Sequence, residues 1–414
     1  MLPASPTLPA PNPAAPLVAI VGGGPAGLLA AQHLAEAGYR VQVFEQKATV
    51  GRKFLVAGHG GFNLTNGESA TTFAGHYGAA APLFAQALAH FSPTDLRQWA
   101  TALGIGTFVG TSGRVFPDAR HTPADLLRAW LRRLAELGVE LRTRHRWLGF
   151  AGETGLRFRN EASGAELTLA PAATVLALGG ASWPQTGSDG HWTQFLEGIG
   201  VRCAPFAPAN CGAEVAWSVF FKEKVGRAPL KNIALSCGGH TVRGELMLTD
   251  YGLEGTPVYA LTPQLRAALA RGQSAELLLN LKPDLAPADV QRRLARRRPA
   301  DSQAAFLASA FSLKAPVPTL LREVAAPAAD LATSLTALPI PVNGLRPLAE
   351  AISAAGGVAF SEVAENLMLR QRPGTYIAGE MLDWEAPTGG YLLQGCFSTG
   401  AWVAKAVGRQ LAGA

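Results

Sequence analysis

The clearest hydrophobic pattern lies near the N-terminus. "LVAIV" (Leu17 to Val21) is an unbroken apolar run, the pattern of a parallel strand buried on both faces. "PAGLLAAQHLAEAG" follows with apolar residues at helical spacing and Gly38 as a stop. "RVQVFE" then predicts a second strand, which completes a β-α-β unit. Helices are predicted at about 80–90, 93–103 and 122–138, the last with Thr122 as N-cap. A strand pair is predicted near 139–150 and 155–169, and "AATVLALGG" (172–180) is a further buried strand ending in glycines.

The texture changes between about 200 and 335. "NIALSCGGHTVRGELMLT" predicts a β-hairpin turning at Gly238-Gly239, and "AELLLNLKP" another strand. Proline-capped helices are predicted at 286–298 and 301–311. After it, "GTYIAGEMLDW" predicts a strand with a glycine-acid end and "GYLLQGCFSTGAWVAKAVGRQLA" a closing helix. The expected division is a Pro/Ala-rich disordered tail (1–16), a first domain half (17–195), an inserted β-rich and helical domain (196–335) and a second half (336–414).

Composition narrows the classes. A chain of 414 residues exceeds one core, and 48% hydrophobic residues with 16% charged indicate a globular protein. The net charge of +6 permits an anionic cofactor without requiring nucleic acid, which is not expected as a partner. Part of that charge is the run "RRLARRR" (Arg292 to Arg298), read as a solvated helix face. Cys203, Cys211, Cys237 and Cys396 form no C-x-x-C and no metal spacing, so neither a disulfide scaffold nor a metal site is expected, and a cytoplasmic location is. The apolar run from Pro16 to Ala31 is broken by three glycines and a proline and is not read as a membrane span, and the N-terminal tail is not read as a secretory signal, because the first Lys or Arg is Arg40.

Gly22, Gly24 and Gly27 form G-x-G-x-x-G between the first strand and the first helix, with Pro25 and Ala26 inside it. Glycine alone permits so tight a turn and so close a backbone approach to a pyrophosphate, and the helix N-terminus supplies N–H donors. Glu45 ends the second strand where a ribose diol is expected, and Gln46 follows it. The whole set points to a dinucleotide. FAD is favoured over NAD, because the glycine-rich strand ends at 178–180 (with Gly179) and 378–380 offer further contacts to a long cofactor. The glycine-rich loop from Gly51 to Glu68 falls at the carboxyl end of the same sheet. Arg52 and Lys53 can balance pyrophosphate charge, and Asn63 and Asn66 can offer amides to the ribityl chain or ring edge.

"GGGPAG", "GRKFLVAGHGGFNLTN", "GRVFP", "LALGGASWPQTGSDG", "GELMLTDYGLEGTPV" and "YIAGEMLDWEAPTGGYLLQGCFSTG" occur in the order of the BaiN-like (YhiN-like) flavoproteins, which the chain resembles from about residue 17 onward. The resemblance implies non-covalent FAD and a Rossmann-like FAD-binding domain interrupted by a β-rich domain and a small helical one. It also implies an NAD(P)/FAD-dependent oxidoreductase, with members resembling steroid-ring desaturases or reductases, or amine oxidases. By family position, Gly379 and Glu380 hold the ribityl chain, with Asp383 a second acid. Thr388, Gly389, Gly390, Tyr391 and Leu392 stand beside the flavin pyrimidine. The family loop reads roughly GGGRCN, whereas Gly61 and Phe62 occupy its Arg and Cys positions here.

Bound flavin would take or give hydride at N5, so the protein need supply only orientation and a proton. Tyr391 and His59 are the candidate proton relays, each with a bland alternative as a ring wall or a loop histidine. Trp183 is expected in the core or the substrate cavity, with His191 nearby, and Cys396 as a small buried side chain. No second G-x-G-x-x-G unit is found, so a dedicated NAD(P) domain is not expected. NAD(P)H acting transiently, oxygen or another acceptor would be the redox partner. The substrate would be a small molecule bound over the ring between the two domains: a small amine or a cyclic enone. An FAD-binding RNA-modification protein and a non-catalytic flavin sensor are the alternatives.

Overall fold

The computed structural model describes residues 14–56, 62–273, 275–324 and 330–413. The chain forms two compact units, one from residues up to Ala207 together with Ser353–Ala414, the other Pro208–Ile352.

The first unit is built on a five-stranded sheet. Its strands are β1 (Leu17–Val21), β2 (Arg40–Glu45), β3 (Glu140–Thr143), β4 (Ala173–Leu176) and β5 (Thr375–Ile377). They lie in the order β5-β4-β1-β2-β3, every pair parallel. Val18 to Val21 are buried in the middle of this sheet, as the unbroken apolar run requires. Between β1 and β2 runs α1 (Pro25–Glu36), with Pro25 in its first turn, where no intrahelical donor is needed. The chain closes with α2 (Tyr391–Ala412).

α1 and α2 meet at bare backbone. A Cβ on Gly400 would stand 2.4 Å from the Ala26 carbonyl oxygen, and one on Gly27 2.1 Å from that of Gly22. Glycine at both positions lets α1 lie between the sheet and α2. Tyr39 Oη donates to the Gly408 carbonyl (3.1 Å), tying the start of β2 to the far part of α2.

The helices at Ala81–His90, Pro93–Ala102 and Pro123–Glu136 follow the periodicity, the last two opened by full capping boxes, Ser92 with Asp95 and Thr122 with Asp125. The expected strand pair near 139–169 is instead β3 followed by an antiparallel three-stranded sheet, His145–Ala151, Gly155–Asn160 and Glu166–Leu169. Arg144 takes a left-handed backbone (φ 58) between β3 and that sheet.

The second unit carries a seven-stranded sheet with helices in the same hydrophobic core. Ala228–Cys237 and His240–Leu248 form the expected hairpin across Gly238-Gly239. The unit runs to Ile352, beyond the expected end at residue 335, because Leu338–Val342 and Gly344–Leu345 pair within its sheet. It starts at Pro208 and not at 196, since the helix Thr193–Glu197 packs in the first core through Leu196. The helix carrying the arginine run ends at Leu294, and Arg292 and Arg298 pair with Asp289 and Asp301. No described helix is long and apolar enough to cross a membrane.

Gly400→Ala is expected to lower stability. Alanine favours a helix interior by about 1 kcal/mol over glycine, but the added methyl meets a backbone carbonyl that no rotamer change can clear, an overpacking cost of about 1–3 kcal/mol. Urea denaturation should show a lower midpoint; a higher one would contradict this packing.

Candidate functional site

Parallel strands put all their carboxyl ends at one edge, and there the first unit holds a cavity of about 240 Å³. Its walls come from the end of β1 and the start of α1 (Gly22, Gly24, Pro25, Ala26), the end of β2 (Glu45, Gln46), Arg52 and Lys53. Gly179 after β4 and Gly379, Glu380 and Cys396 complete it. Eleven of the residues singled out from sequence as cofactor contacts therefore line one space: Gly22, Gly24, Pro25, Ala26, Glu45, Gln46, Arg52, Lys53, Gly179, Gly379 and Glu380.

The turn at Gly22–Gly27 explains itself atom by atom. Gly22 has φ +111, and a Cβ there would collide with the Ala177 carbonyl oxygen at 2.2 Å. A Cβ on Gly24 would meet nothing within 4 Å, so this face of the loop is open. The first turn of α1 carries no acid, leaving the positive end of its dipole uncompensated. Bare backbone donors facing an open cleft at a helix N-terminus fit a pyrophosphate.

Glu45 is half-buried at the end of β2. Its Oε2 accepts the Gly23 N–H (3.0 Å) and its Oε1 the Lys47 N–H (2.8 Å). Each oxygen keeps a lone pair for a hydroxyl donor. Burial raises its pKa above the usual carboxylate range, against the lowering effect of those two N–H groups and of Lys47 and Arg52. The Gln46 side-chain amide donates to the Gly187 carbonyl, closing the loop after β4 over this end.

Lys53 is committed within the protein. Its ammonium donates to Glu380 Oε2 and to Ser182 Oγ, both at 2.8 Å. It joins three segments of the wall, and Arg52, exposed beside it, makes no such bond among the described residues. Ser182 was not singled out from sequence, because nothing local marks a residue 129 positions from its partner. Cys396 stands at the same end of the cavity, and burial, with Glu380 nearby, pushes its thiol up, so it is held neutral.

The remaining predicted contacts gather elsewhere. Asn63, Asn66, Thr388, Gly389, Gly390, Tyr391 and Leu392 do not line the cavity. Gly390 (φ +102) presses on the Thr65 backbone, where a Cβ would stand 2.4 Å away, and Thr65 Oγ1 donates to Gln394 Oε1 (2.7 Å). This welds the loop strand Thr65–Asn66 to the N-terminus of α2. Asn66 turns inward, its Oδ1 accepting the Glu68 N–H. Tyr391 lies five residues from Cys396 on α2, about 7.5 Å along the axis. Asp383 binds the Val358 carbonyl through its backbone N–H and lies outside the cavity wall. His59 lies outside the described residues.

Trp183, expected in the core or the substrate cavity, is half-exposed on a left-handed backbone (φ 56) at the head of the turn Pro184–Thr186. The buried indole is instead Trp192, whose Nε1 donates to the Gly179 carbonyl (3.0 Å). His191 lines the cavity but is largely exposed, 3.5 Å from Asp189. Among the described residues no group of three His, Cys, Asp or Glu side chains is placed to hold a metal.

Comparison with known proteins sharpens this picture. Residues 16–406 match the family model of the HI0933-like protein Rossmann domain. A 3-dehydro-bile acid delta(4,6)-reductase of Clostridium scindens is 29% identical over 92% of this chain and 97% of its own. A ribosomal RNA dihydrouridine synthase of Escherichia coli is 26% identical over 92% of this chain and 95% of its own. Among solved structures, a 3-ketosteroid-delta4-(5alpha)-dehydrogenase from Rhodococcus jostii matches with a TM-score of 0.52 at 14% identity, covering 95% of this chain and 96% of its own. At that identity the likeness is one of fold.

The raised pKa of Glu45 gives a pH signature to the cofactor-free protein. A carboxyl raised on folding adds stability below its unfolded value, and that stability is lost as pH rises through the folded value. Relative to Glu45→Gln, the unloaded wild-type protein should therefore lose thermal stability progressively as pH rises above 4.5, the ordinary value of a glutamate. A melting-temperature difference independent of pH between ~4 and ~7 would contradict the assigned burial.

Proposed function

Because this chain belongs to the HI0933-like family, we propose that it is an FAD-dependent oxidoreductase that reduces a ring carbon–carbon double bond conjugated to a carbonyl group. The observation that carries this reading is the pair of relatives spanning 92% of the chain. One is named for reducing double bonds of a 3-dehydro bile acid, the other for making dihydrouridine. The two substrates differ, but each named reaction saturates a ring bond in conjugation with a carbonyl.

The residues on the cavity wall fit FAD. Gly22 to Gly27 and the N-terminus of α1 would hold the pyrophosphate, Glu45 the adenosine ribose, and Glu380 with Lys53 the ribityl chain. The N-terminus of α2 at Gly390 to Leu392 would face the flavin pyrimidine, where its dipole favours negative charge. The bound flavin supplies hydride transfer at N5. Tyr391, buried and kept in its neutral phenol form, is the candidate proton donor to the substrate carbon. NAD(P)H is the proposed source of the hydride, docking transiently at the ring.

A second reading, favoured by the Escherichia coli relative and by the net charge of +6, takes a uracil base in RNA as the substrate. The arginine run argues less for it than its sequence suggests, since Arg292 and Arg298 are ion-paired within the unit.

Anaerobic NADPH should bleach the flavin of the purified protein, and 4-androstene-3,17-dione or a related enone should restore the colour with formation of the saturated ketone. Recolouring by ribosomal RNA lacking dihydrouridine, and by no enone, would replace the first reading with the second. A flavin restored by neither would contradict both.

A further inference from the structure

A second cavity, of about 390 Å³, lies in the first unit against the C-terminal half of α2. It falls within the size range of small-molecule sites, roughly 300–1,000 Å³. It shares no lining residue with the cavity at the carboxyl edge of the sheet. Its cationic wall is Lys405 and Arg409, one turn apart on α2, with His90 from the last turn of the helix Ala81–His90. Lys405 lies fourteen residues beyond Tyr391 on α2, about 21 Å along the axis.

The polar groups of this cavity are of one kind. Its described lining contains no Asp or Glu. Gln410 Oε1 accepts the Tyr376 hydroxyl (2.6 Å), and Asn366 Oδ1 accepts the Met368 N–H (3.3 Å). Both amides thus commit an acceptor within the protein and keep their N–H donors. Lys405 and Arg409 make no ion pair or side-chain hydrogen bond among the described residues. Neither nitrogen of His90 is bonded among them, and its Nδ1 is buried. The His90 ring stacks on Trp402, centroids 5.2 Å apart. The cavity therefore offers donors and positive charge, with Met368, Pro373 and Ala406 as an apolar wall.

Helix-end electrostatics accounts for only part of this. The negative end of the α2 dipole favours a cation in the last turn, which covers Arg409. Lys405 lies seven residues before the end of α2 at Ala412, outside that turn. Two cations four residues apart repel each other, and a buried imidazole nitrogen without a partner carries a desolvation cost. An anion between the three groups offsets both.

We propose that this cavity binds a small phosphate-bearing molecule with an apolar body, the phosphate held by Lys405, Arg409 and His90 and the body lying against Met368, Pro373 and Ala406. Two fixed cations and a histidine able to become a third match a phosphomonoester dianion better than a single carboxylate. The assignment is independent of the reaction at the flavin. Burial, and then Lys405 and Arg409, hold the His90 pKa below its ordinary value. A bound dianion opposes those two charges, so binding raises it. The other ionisable group lining the cavity is the Tyr376 phenol, bonded to Gln410, while Asn366, Met368 and Pro373 bring no charge.

The test uses the protein saturated with FAD, so that the first cavity is filled, and phenyl phosphate as the probe in a calorimetric titration. One saturable site is expected, weakened about tenfold by Lys405→Gln and by Arg409→Gln, since each removes a charge-assisted bond. Arg296→Gln, which removes an exposed charge from the other unit, should leave the affinity unchanged. Equal weakening by Arg296→Gln would reduce the binding to the general attraction of a cationic protein and overturn the site. Absence of saturable binding below about 10 mM would overturn it as well. Inorganic phosphate binding as tightly as phenyl phosphate would overturn the apolar body. A second readout is the ¹³Cε1 signal of His90, identified by its loss in His90→Gln. Saturating phenyl phosphate should move its ionisation midpoint up by about one pH unit. No movement would put the anion away from His90 and overturn the cavity as its site.

Discussion

The site depends on backbone packed directly against backbone at the start of α1. The Gly22 carbonyl lies under Gly27, the Ala177 carbonyl under Gly22, and the Ala26 carbonyl under Gly400. No side chain fits at any of these points. Together they fix the N-terminus of α1 between the ends of β1 and β4 on one side and α2 on the other, with Gly24 facing open space. Protein interiors are too dense for such contacts to relax independently. The geometry of the cleft is therefore set by the core beneath it and not by the groups that line it.

Charge is distributed over that frame in two ways. At the β2 end, Glu45 spends part of its hydrogen-bonding capacity on Gly23 and Lys47 and carries a burial penalty that a hydroxyl-bearing ligand would offset. At the far end, Lys53 and Glu380 neutralise each other, leaving Arg52 and the α1 dipole as the positive field for an anion. Beyond Cys396 the surroundings turn aromatic, with Phe73, Tyr77, Phe84 and Trp384 in contact around the first turns of α2. These four rings are buried in the core beneath the first turns of α2, and none of them lines the cavity.

Much of this was legible in the sequence, for a physical reason. β1, α1 and β2 are local, and their periodicity, glycines and terminal acid act within thirty residues. The helices capped by Ser92 and Thr122 were equally plain. What escaped is non-local. Lys53 and Glu380 are 327 residues apart, and their pairing follows only from the closure of β5 beside β4. His76 looks like an ordinary polar residue until α2 brings the Tyr391 ring against it. The strand Leu338–Val342 was missed because two prolines interrupt it, although it pairs on one side only, as an edge strand carrying proline must. Trp183, expected in the core or the substrate cavity, is half-exposed on a left-handed backbone, and the indole buried nearby is Trp192.

The most direct measurement of the central claim is a crystal structure of the FAD-loaded protein. The account requires the adenosine ribose within hydrogen-bonding distance of Glu45, the pyrophosphate over Gly24 at the α1 N-terminus, and the flavin ring reaching the first turn of α2 near Tyr391. A ring lying at the Glu45 end, or a cofactor bound away from the carboxyl edge of the five-stranded sheet, would contradict it.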